Sequence, residues 1–396
     1  MAYDPMGDDP TSEGSAEMND RIEIVSGRLG FMAERLIDLG IIGAAISVHV
    51  PGCRPIAVAR GHTDLQRSMG LAHDHLFQIG SQTKMFVAVA VHILVKLNLL
   101  SYEDPVARHL PEIETLIRGN AVTVAHLLTH TSGIGSFTSF LEGLSEPDYV
   151  PWPIPSYSFE DILALARAHG VQFAPGARML YCDTGYVLLG KIVERLSGRS
   201  LAAFLRAEIL LPLGLNDTFV GSTGEWPRQR MARGYYIPAA GDVMPVDTGD
   251  VPELTWAGAA GDMIASLGDM IRFARAMMDP GNPTGVSIGD FARTTIECWD
   301  AGPDRAVGPD LYHGPIWGLG MMRQNWGGRQ QWGHRGSTFG YRSSTFCDPD
   351  NGVAVSSFMT SLLRPDDPET APMLLAESDM ITAAAYFGAC DIMEFA

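Results

Sequence analysis

Asp74-His-Leu-Phe-Gln-Ile-Gly-Ser81-Gln-Thr-Lys84-Met-Phe-Val-Ala-Val-Ala-Val-His92-Ile-Leu94 sets a serine hydroxyl and a lysine amine three residues apart, at the start of a strongly apolar run. Residues three apart on a helix share a face. From Met85 to Leu94 only His92 is polar, so the pattern predicts a buried helix with Ser81 at its amino end. Burial serves chemistry here: a desolvated lysine loses its proton more readily, and backbone N–H groups at a helix start can hold an oxyanion. The ordinary alternative is a chance pairing on a core helix. However, the lysines are Lys84, Lys96 and Lys191, and only Lys84 follows a serine by three. An amine set among apolar side chains is costly unless it is used or paired, so Ser81 reads as a nucleophile and Lys84 as its candidate base, the S-x-x-K pattern of acyl transfer.

The whole chain agrees with a soluble enzyme. At 396 residues and 46% hydrophobic it can bury a large core in two lobes or two domains. A net charge of −18 argues against nucleic acid or an anionic membrane as partner. Residues 1–20, acidic and small, lack the basic and apolar regions of a secretory signal; they are expected to be a disordered tail on a cytoplasmic protein. The apolar runs are too short to span a bilayer. Five scattered cysteines (Cys53, Cys182, Cys298, Cys347 and Cys390), in no metal or C-x-x-C spacing, fit free thiols in a reducing compartment.

Read in order, Arg21 to Leu39 has helical apolar spacing, and Gly43–Val50 with Pro55–Ala59 forms a hairpin across the Pro51-Gly52 turn. From Asp104 to about Trp256 the signals are mainly helical. Thr123 to Gly133 reads as a short helix with a glycine cap, Ser158-Phe-Glu-Asp161 as a near capping box, and Thr184 to Leu196 as a helix closed by Gly198. Pro227 to Glu253 reads as a long loop. Gly261 to Met278 suggests a short strand and a helix. Gly318–Met322, Gln330–His334, Tyr341–Phe346 and Gly352–Met359 then read as antiparallel strands before a closing helix, Pro372 to Phe387. The fold class is therefore α+β: an antiparallel sheet flanked by helices, fed from both ends of the chain. The expected division is an α/β lobe of 21–80 with 257–396 and an inserted, mainly helical lobe of 81–256.

Three patches can meet around the serine: Ser81-Gln-Thr-Lys84, Tyr181-Cys182-Asp183 and His334-Arg335-Gly336. With Val124-Ala-His-Leu-Leu-Thr-His-Thr-Ser-Gly133, Pro175 to Gly190 and Pro212-Leu-Gly-Leu-Asn-Asp-Thr218, their order resembles the serine β-lactamase and penicillin-binding-protein superfamily, in the branch of DD-carboxypeptidases, class C-like enzymes and family VIII esterases. Within that branch Asp74-His-Leu-Phe77, His169-Gly-Val-Gln172, Ala232-Arg-Gly-Tyr235 and Ala260-Gly-Asp-Met263 are most similar to D-stereospecific amino acid amidases. The resemblance implies a β-lactamase/transpeptidase-like fold with the site between two lobes. It implies an acyl-enzyme on Ser81, Lys84 or Tyr181 as base, an oxyanion hole from the N–H groups of Ser81 and Ser337, and no metal or organic cofactor.

Two departures from that pattern carry information. Where the family has Tyr-x-Asn this chain has Tyr181-Cys182-Asp183, and a carboxylate beside Lys84 would hold it protonated and favour Tyr181 as base. Asp183 would also offer a negative group to the α-ammonium of an amino acid amide; alternatively it caps the helix that follows. Where β-lactamases carry the lysine of Lys-Thr-Gly, this chain has His334 ahead of Gly336. That removes a fixed cation for a carboxylate and fits neutral amides or esters, unless Arg335 or Arg342, either of which reads equally as an exposed strand residue, replaces it. His126 and His130 read as structural histidines, and Trp256, Trp317, Trp326 and Trp332 as core or pocket wall. The expected function is hydrolysis of a small amide, a D-amino acid amide or short D-peptide, with Asp183, His334 and Gly336 at the substrate. The alternatives are a carboxylesterase or acyltransferase using the same serine, and a non-catalytic binding protein of this fold.

Overall fold

Apolar residues three and four apart produce helix α1, Ser15–Asp38, which buries Val25, Leu29, Ala33 and Leu36. It appears in a computed structural model that describes residues 15–116, 122–138, 156–236, 244–249, 257–297, 316–363 and 382–390. The helix begins inside the stretch expected to be a disordered tail, so that expectation fails for residues 15–20; residues 1–14 lie outside the described residues. Strands β1, Gly43–His49, and β2, Ile56–Gly61, form the expected hairpin, in register from Gly43↔Gly61 to Val48↔Ile56.

The main sheet has eight strands, all joined antiparallel. Its remaining members come from the other end of the chain: β8 (Ile296–Glu297), β9 (Ile316–Trp317), β10 (Met322–Trp326), β11 (Arg329–Thr338), β12 (Tyr341–Asp348) and β13 (Val353–Thr360). The order is β2-β1-β13-β12-β11-β10-β9-β8, and β13 closes the two ends together by pairing with β1 from Gly43↔Thr360 to His49↔Ala354. Both β12 and β13 are buried along their whole length; β13 runs apolar or small without alternation, whereas β12 buries Arg342 and Asp348 among Ser, Thr and aromatic residues. One face carries α1 and helix α7, residues 382–390, over Ile46, Val48, Val355 and Met359. The other faces helix α2, Thr83–Lys96, and helix α6, Leu267–Met278. Of the closing helix expected over 372–387, residues 372–381 lie outside the described residues.

Helix α2 is buried from Thr83 to Leu94, which is why its sequence shows no polar face. Beyond its first turn its one polar interior residue is satisfied: the His92 ring contacts Leu319 O at 3.0 Å through Nε2 and the Tyr102 hydroxyl at 2.7 Å through Nδ1. In the middle of the chain, helix α3 (Val124–Leu128) has Thr123 as N-cap, and α4 (Phe159–His169) closes a reciprocal capping box between Ser158 and Asp161. Helix α5 is Asp183–Ser197, capped by Gly198.

Three expectations are corrected. Helix α3 stops at Thr129, not at a glycine, because His130 itself turns left-handed with φ 57°. Gly318–Leu319–Gly320–Met321 is a turn, closed by Gly318 N–H to Met321 O at 2.8 Å, and only Met322 belongs to a strand. The supposed loop 227–253 contains β5 (Tyr235–Tyr236) and β6 (Val246–Asp247), which pair with each other while β5 also pairs with β14 (Leu362–Leu363) in a small sheet; two-residue strands carry no readable period. A third sheet, β3 (Leu76–Gln78), β7 (Met263–Ser266) and β4 (Thr218–Val220), lies next to the serine turn.

Candidate active site

Ser81 sits in a 3-10 turn, Gly80–Gln82, that leads directly into α2. The turn is held by Ile79 N–H to Met263 O at 3.0 Å, and Met263 N–H in turn donates to Thr83 Oγ1 at 3.0 Å. One helical turn on, Lys84 is fully buried and reaches three oxygens: Ser81 Oγ at 3.0 Å, Asp183 Oδ1 at 2.6 Å and Ala260 O at 2.7 Å. An ammonium donates to all three. An uncharged amine would spend two protons on Asp183 and Ala260 and turn its lone pair to the serine O–H. Burial pulls Lys84 below its ordinary value, and the Asp183 carboxylate opposes it.

Asp183 does not cap its helix. The cap position belongs to Cys182, without a side-chain bond, while the two oxygens of Asp183 go to Lys84 and to Thr138 Oγ1, which donates at 2.7 Å. Ser136 Oγ accepts Asp183 N–H at 3.1 Å, and Thr184 Oγ1 donates to Gly135 O and accepts Phe137 N–H. The segment 135–138 is thus stitched to the start of α5, an arrangement for which the sequence carried no spacing signal. Cys182, between Tyr181 and Asp183, is buried with its thiol pushed up to about 11 by burial, so it does not compete as a nucleophile.

The Tyr181 ring faces Lys84, whose Nζ stands 4.8 Å from the ring centroid. Around it are His130, stacked with centroids 4.3 Å apart, Trp317 at 5.7 Å and His334 at 6.3 Å. His334 is buried, and its Nδ1 lies against the Arg335 carbonyl. A carbonyl only accepts, so the Nδ1 proton is fixed there and Nε2 presents a lone pair. Desolvation, and next the Lys84 charge, push this imidazole down to about 3, leaving it neutral at ordinary pH. Arg342 is no exposed strand residue: it is buried, with NH1 donating to Thr338 O and Tyr341 O. It pairs with Ser337, one residue out of step with His334 and Gly336, and so stands on the opposite sheet face. His126 closes the Thr123 cap through Nδ1, and Trp256 lies outside the described residues.

Ser337 is exposed on β11 beside the serine turn. β10 pairs with β11 only from Trp326↔Arg329 to Met322↔Gly333, so from His334 onward β10 leaves that edge of β11 open. The close approach needs Gly80, at φ 52°, where a Cβ would stand 2.7 Å from Ser337 N, and Gly336, where a Cβ would stand 1.8 Å from Ile79 O. These contacts bring the Ser81 turn and the Ser337 backbone together.

Behind Ala260, Asp262 accepts Ser222 N–H at 2.9 Å and the Ser222 hydroxyl. Burial raises its carboxyl to about 7, against those bonds. The folded state therefore holds a proton that the unfolded chain releases near 4, and stability falls as pH rises from about 4 to 7. Asp262→Asn removes that loss, so the variant should equal the parent near pH 4 and exceed it by about 4 kcal/mol at pH 8. Urea unfolding at the two pH values tests this; an equal difference at both would refute it.

Among the described residues no helix is long and apolar enough to cross a membrane, and no three His, Cys, Asp or Glu gather as metal ligands. The chain is 30% identical to penicillin-binding protein 4 of Amycolatopsis lactamdurans, over 81% of this chain and 84% of that protein. It is 30% identical to esterase EstB of Burkholderia gladioli, over 67% and 70%. The solved D-amino acid amidase of Ochrobactrum anthropi SV3, complexed with L-phenylalanine amide, matches with a TM-score of 0.76 at 25% identity, covering 96% of this chain and 99% of that one. A family model described as Beta-lactamase matches residues 30–379, nearly everything from the middle of α1 to the approach to α7. This chain belongs to the beta-lactamase family and is a serine hydrolase of that superfamily.

Proposed function

We propose that the protein hydrolyses the amide of a small amino acid amide or short peptide with a free amino group, the D configuration preferred, through an acyl-enzyme on Ser81. Ser81 Oγ attacks the carbonyl carbon and its proton passes to the phenolate form of Tyr181, with Lys84 kept charged by Asp183 and donating toward the serine oxygen. The N–H groups of Ser81 and Ser337 receive the oxyanion. The C–N bond breaks, the amine leaves with a proton from the same pair, and water then releases the acid by the reverse path.

The observation that carries the substrate reading is His334. The resemblance sets it in the place of the lysine of Lys-Thr-Gly, yet it is buried and neutral, so that position supplies no fixed cation for a carboxylate and suits a neutral amide or ester. Asp183, with Lys84 and Thr138 on its oxygens, offsets the Lys84 charge, so no net cation stands there to hold a carboxylate. Similarity to the Ochrobactrum amidase along 96% of the chain supports the amide, and similarity to esterase EstB supports an ester as the second reading.

Initial rates on D- and L-phenylalaninamide, p-nitrophenyl butyrate and a chromogenic cephalosporin test this, with Ser81→Ala as the blank. Ser81-dependent ammonia release from the D-amide, faster than from the L-amide and without cephalosporin turnover, is the expected result. Fast ester cleavage with no amide turnover would transfer the assignment to an esterase or acyltransferase.

A further inference from the structure

Three bonds of one residue converge on Tyr181. His130 O accepts the N–H of Leu180 at 2.9 Å, and His130 Nδ1 accepts the N–H of Cys182 at 3.1 Å. Its ring stacks on the phenol between them, centroids 4.3 Å apart and planes 29° from parallel. One side chain and its own carbonyl therefore hold the residue before Tyr181, the residue after it and the ring itself. The left-handed backbone of His130, φ 57°, accompanies this double grip; few residues other than glycine adopt it, histidine among them. Trp317, edge-on to the imidazole at 4.7 Å, and Tyr186, tilted at 5.2 Å, close the far sides.

We propose that His130 is a positioning residue for Tyr181: it fixes the phenol ring against Lys84 without touching the substrate. The inference rests on the reading of Tyr181 as proton acceptor. Because Nδ1 accepts, the neutral ring carries its proton on Nε2. Burial, then the Lys84 charge, holds it well below the ordinary histidine value, so it adds no second cation next to Lys84. A neutral ring can lie flat on the phenol and add no charge to that of the ammonium facing it.

Two variants separate positioning from plain structural support. His130→Gly keeps the backbone angle and removes both ring contacts; His130→Asn also tolerates the angle and keeps an acceptor for Cys182 N–H. On p-nitrophenyl butyrate, His130→Gly should lower kcat about 10- to 100-fold with KM nearly unchanged, the scale of a small misplacement of a reacting group. His130→Asn should lower it less. In a Tyr181→Phe background the same His130→Gly change should cost under about 2-fold, because the group it positions is gone. Equal losses in both backgrounds, no loss in either, or failure of both variants to fold would overturn the proposal and leave His130 a structural residue. If instead Tyr181→Phe alone has no effect, it is the proton-acceptor reading that fails, and the cycle tells the two failures apart.

Discussion

Lys84→Met should lower kcat/KM by about 10⁴-fold or more on any substrate the protein turns over, and Ser81→Ala should lower it at least as far. The two changes together should cost little beyond either alone, since Ser81 and Lys84 share a 3.0 Å hydrogen bond and act as a unit. The lysine change has a second, structural effect. Lys84 is fully buried against Asp183 at 2.6 Å, and removing one partner of a buried pair leaves the other charge uncompensated. The expected loss of stability is about 3 kcal/mol, the low end for such pairs, because Asp183 keeps Thr138 and some contact with water. Lys84→Met with Asp183→Asn should recover most of that stability and none of the activity. Chemical unfolding and steady-state rates on the same samples check both halves; full activity in Lys84→Met would remove the lysine from the mechanism.

Asp183→Asn alone asks which state of Lys84 works. Without the carboxylate, burial is opposed only by neutral acceptors, and Lys84 loses its proton at lower pH. If the ammonium is the working form, with Tyr181 taking the serine proton, the alkaline limb of kcat/KM moves to lower pH. Movement of an acid limb instead would make the free amine the base.

The sequence exposed the parts of this molecule that local chemistry dictates. Ser81 and Lys84 were legible because a helix turns once in about that spacing, and the sheet because β1 and β13 carry apolar or small runs at opposite ends of the chain. The role of Asp183 stayed open between cap and counter-charge, since both need only a carboxylate at a helix start; its choice depends on Lys84, 99 residues away. His130 was indistinguishable from any core histidine, because its grip on Leu180 and Cys182 comes from a backbone angle that no composition or period reports. Arg342 looked exposed because strand alternation alone does not tell which face receives a covering helix.

Gly336→Ala probes the contact on which the proposed oxyanion site depends. A methyl there would stand 1.8 Å from Ile79 O and 2.5 Å from Ser343 Oγ, both buried, and Ser343 Oγ donates to that same Ile79 O at 2.9 Å. Neither neighbour is the free end of a long side chain, so β11 and the Ser81 turn must part. Overpacking of this kind costs roughly 1–3 kcal/mol of stability. The larger effect is on rate: the Ser81 and Ser337 N–H groups separate, and loss of one oxyanion donor is worth about 10²–10³-fold in kcat. The loss should be similar for amide and ester, because both pass through the same tetrahedral oxyanion, and labelling of Ser81 by a fluorophosphonate should slow in step. Ser337→Ala is the control. It deletes an exposed hydroxyl but keeps the backbone N–H, so kcat should stay within about 3-fold of the parent if the donor is the main chain. A Gly336→Ala protein with parental kcat, or a Ser337→Ala protein that loses as much as Gly336→Ala, would remove the β11 backbone from the oxyanion site.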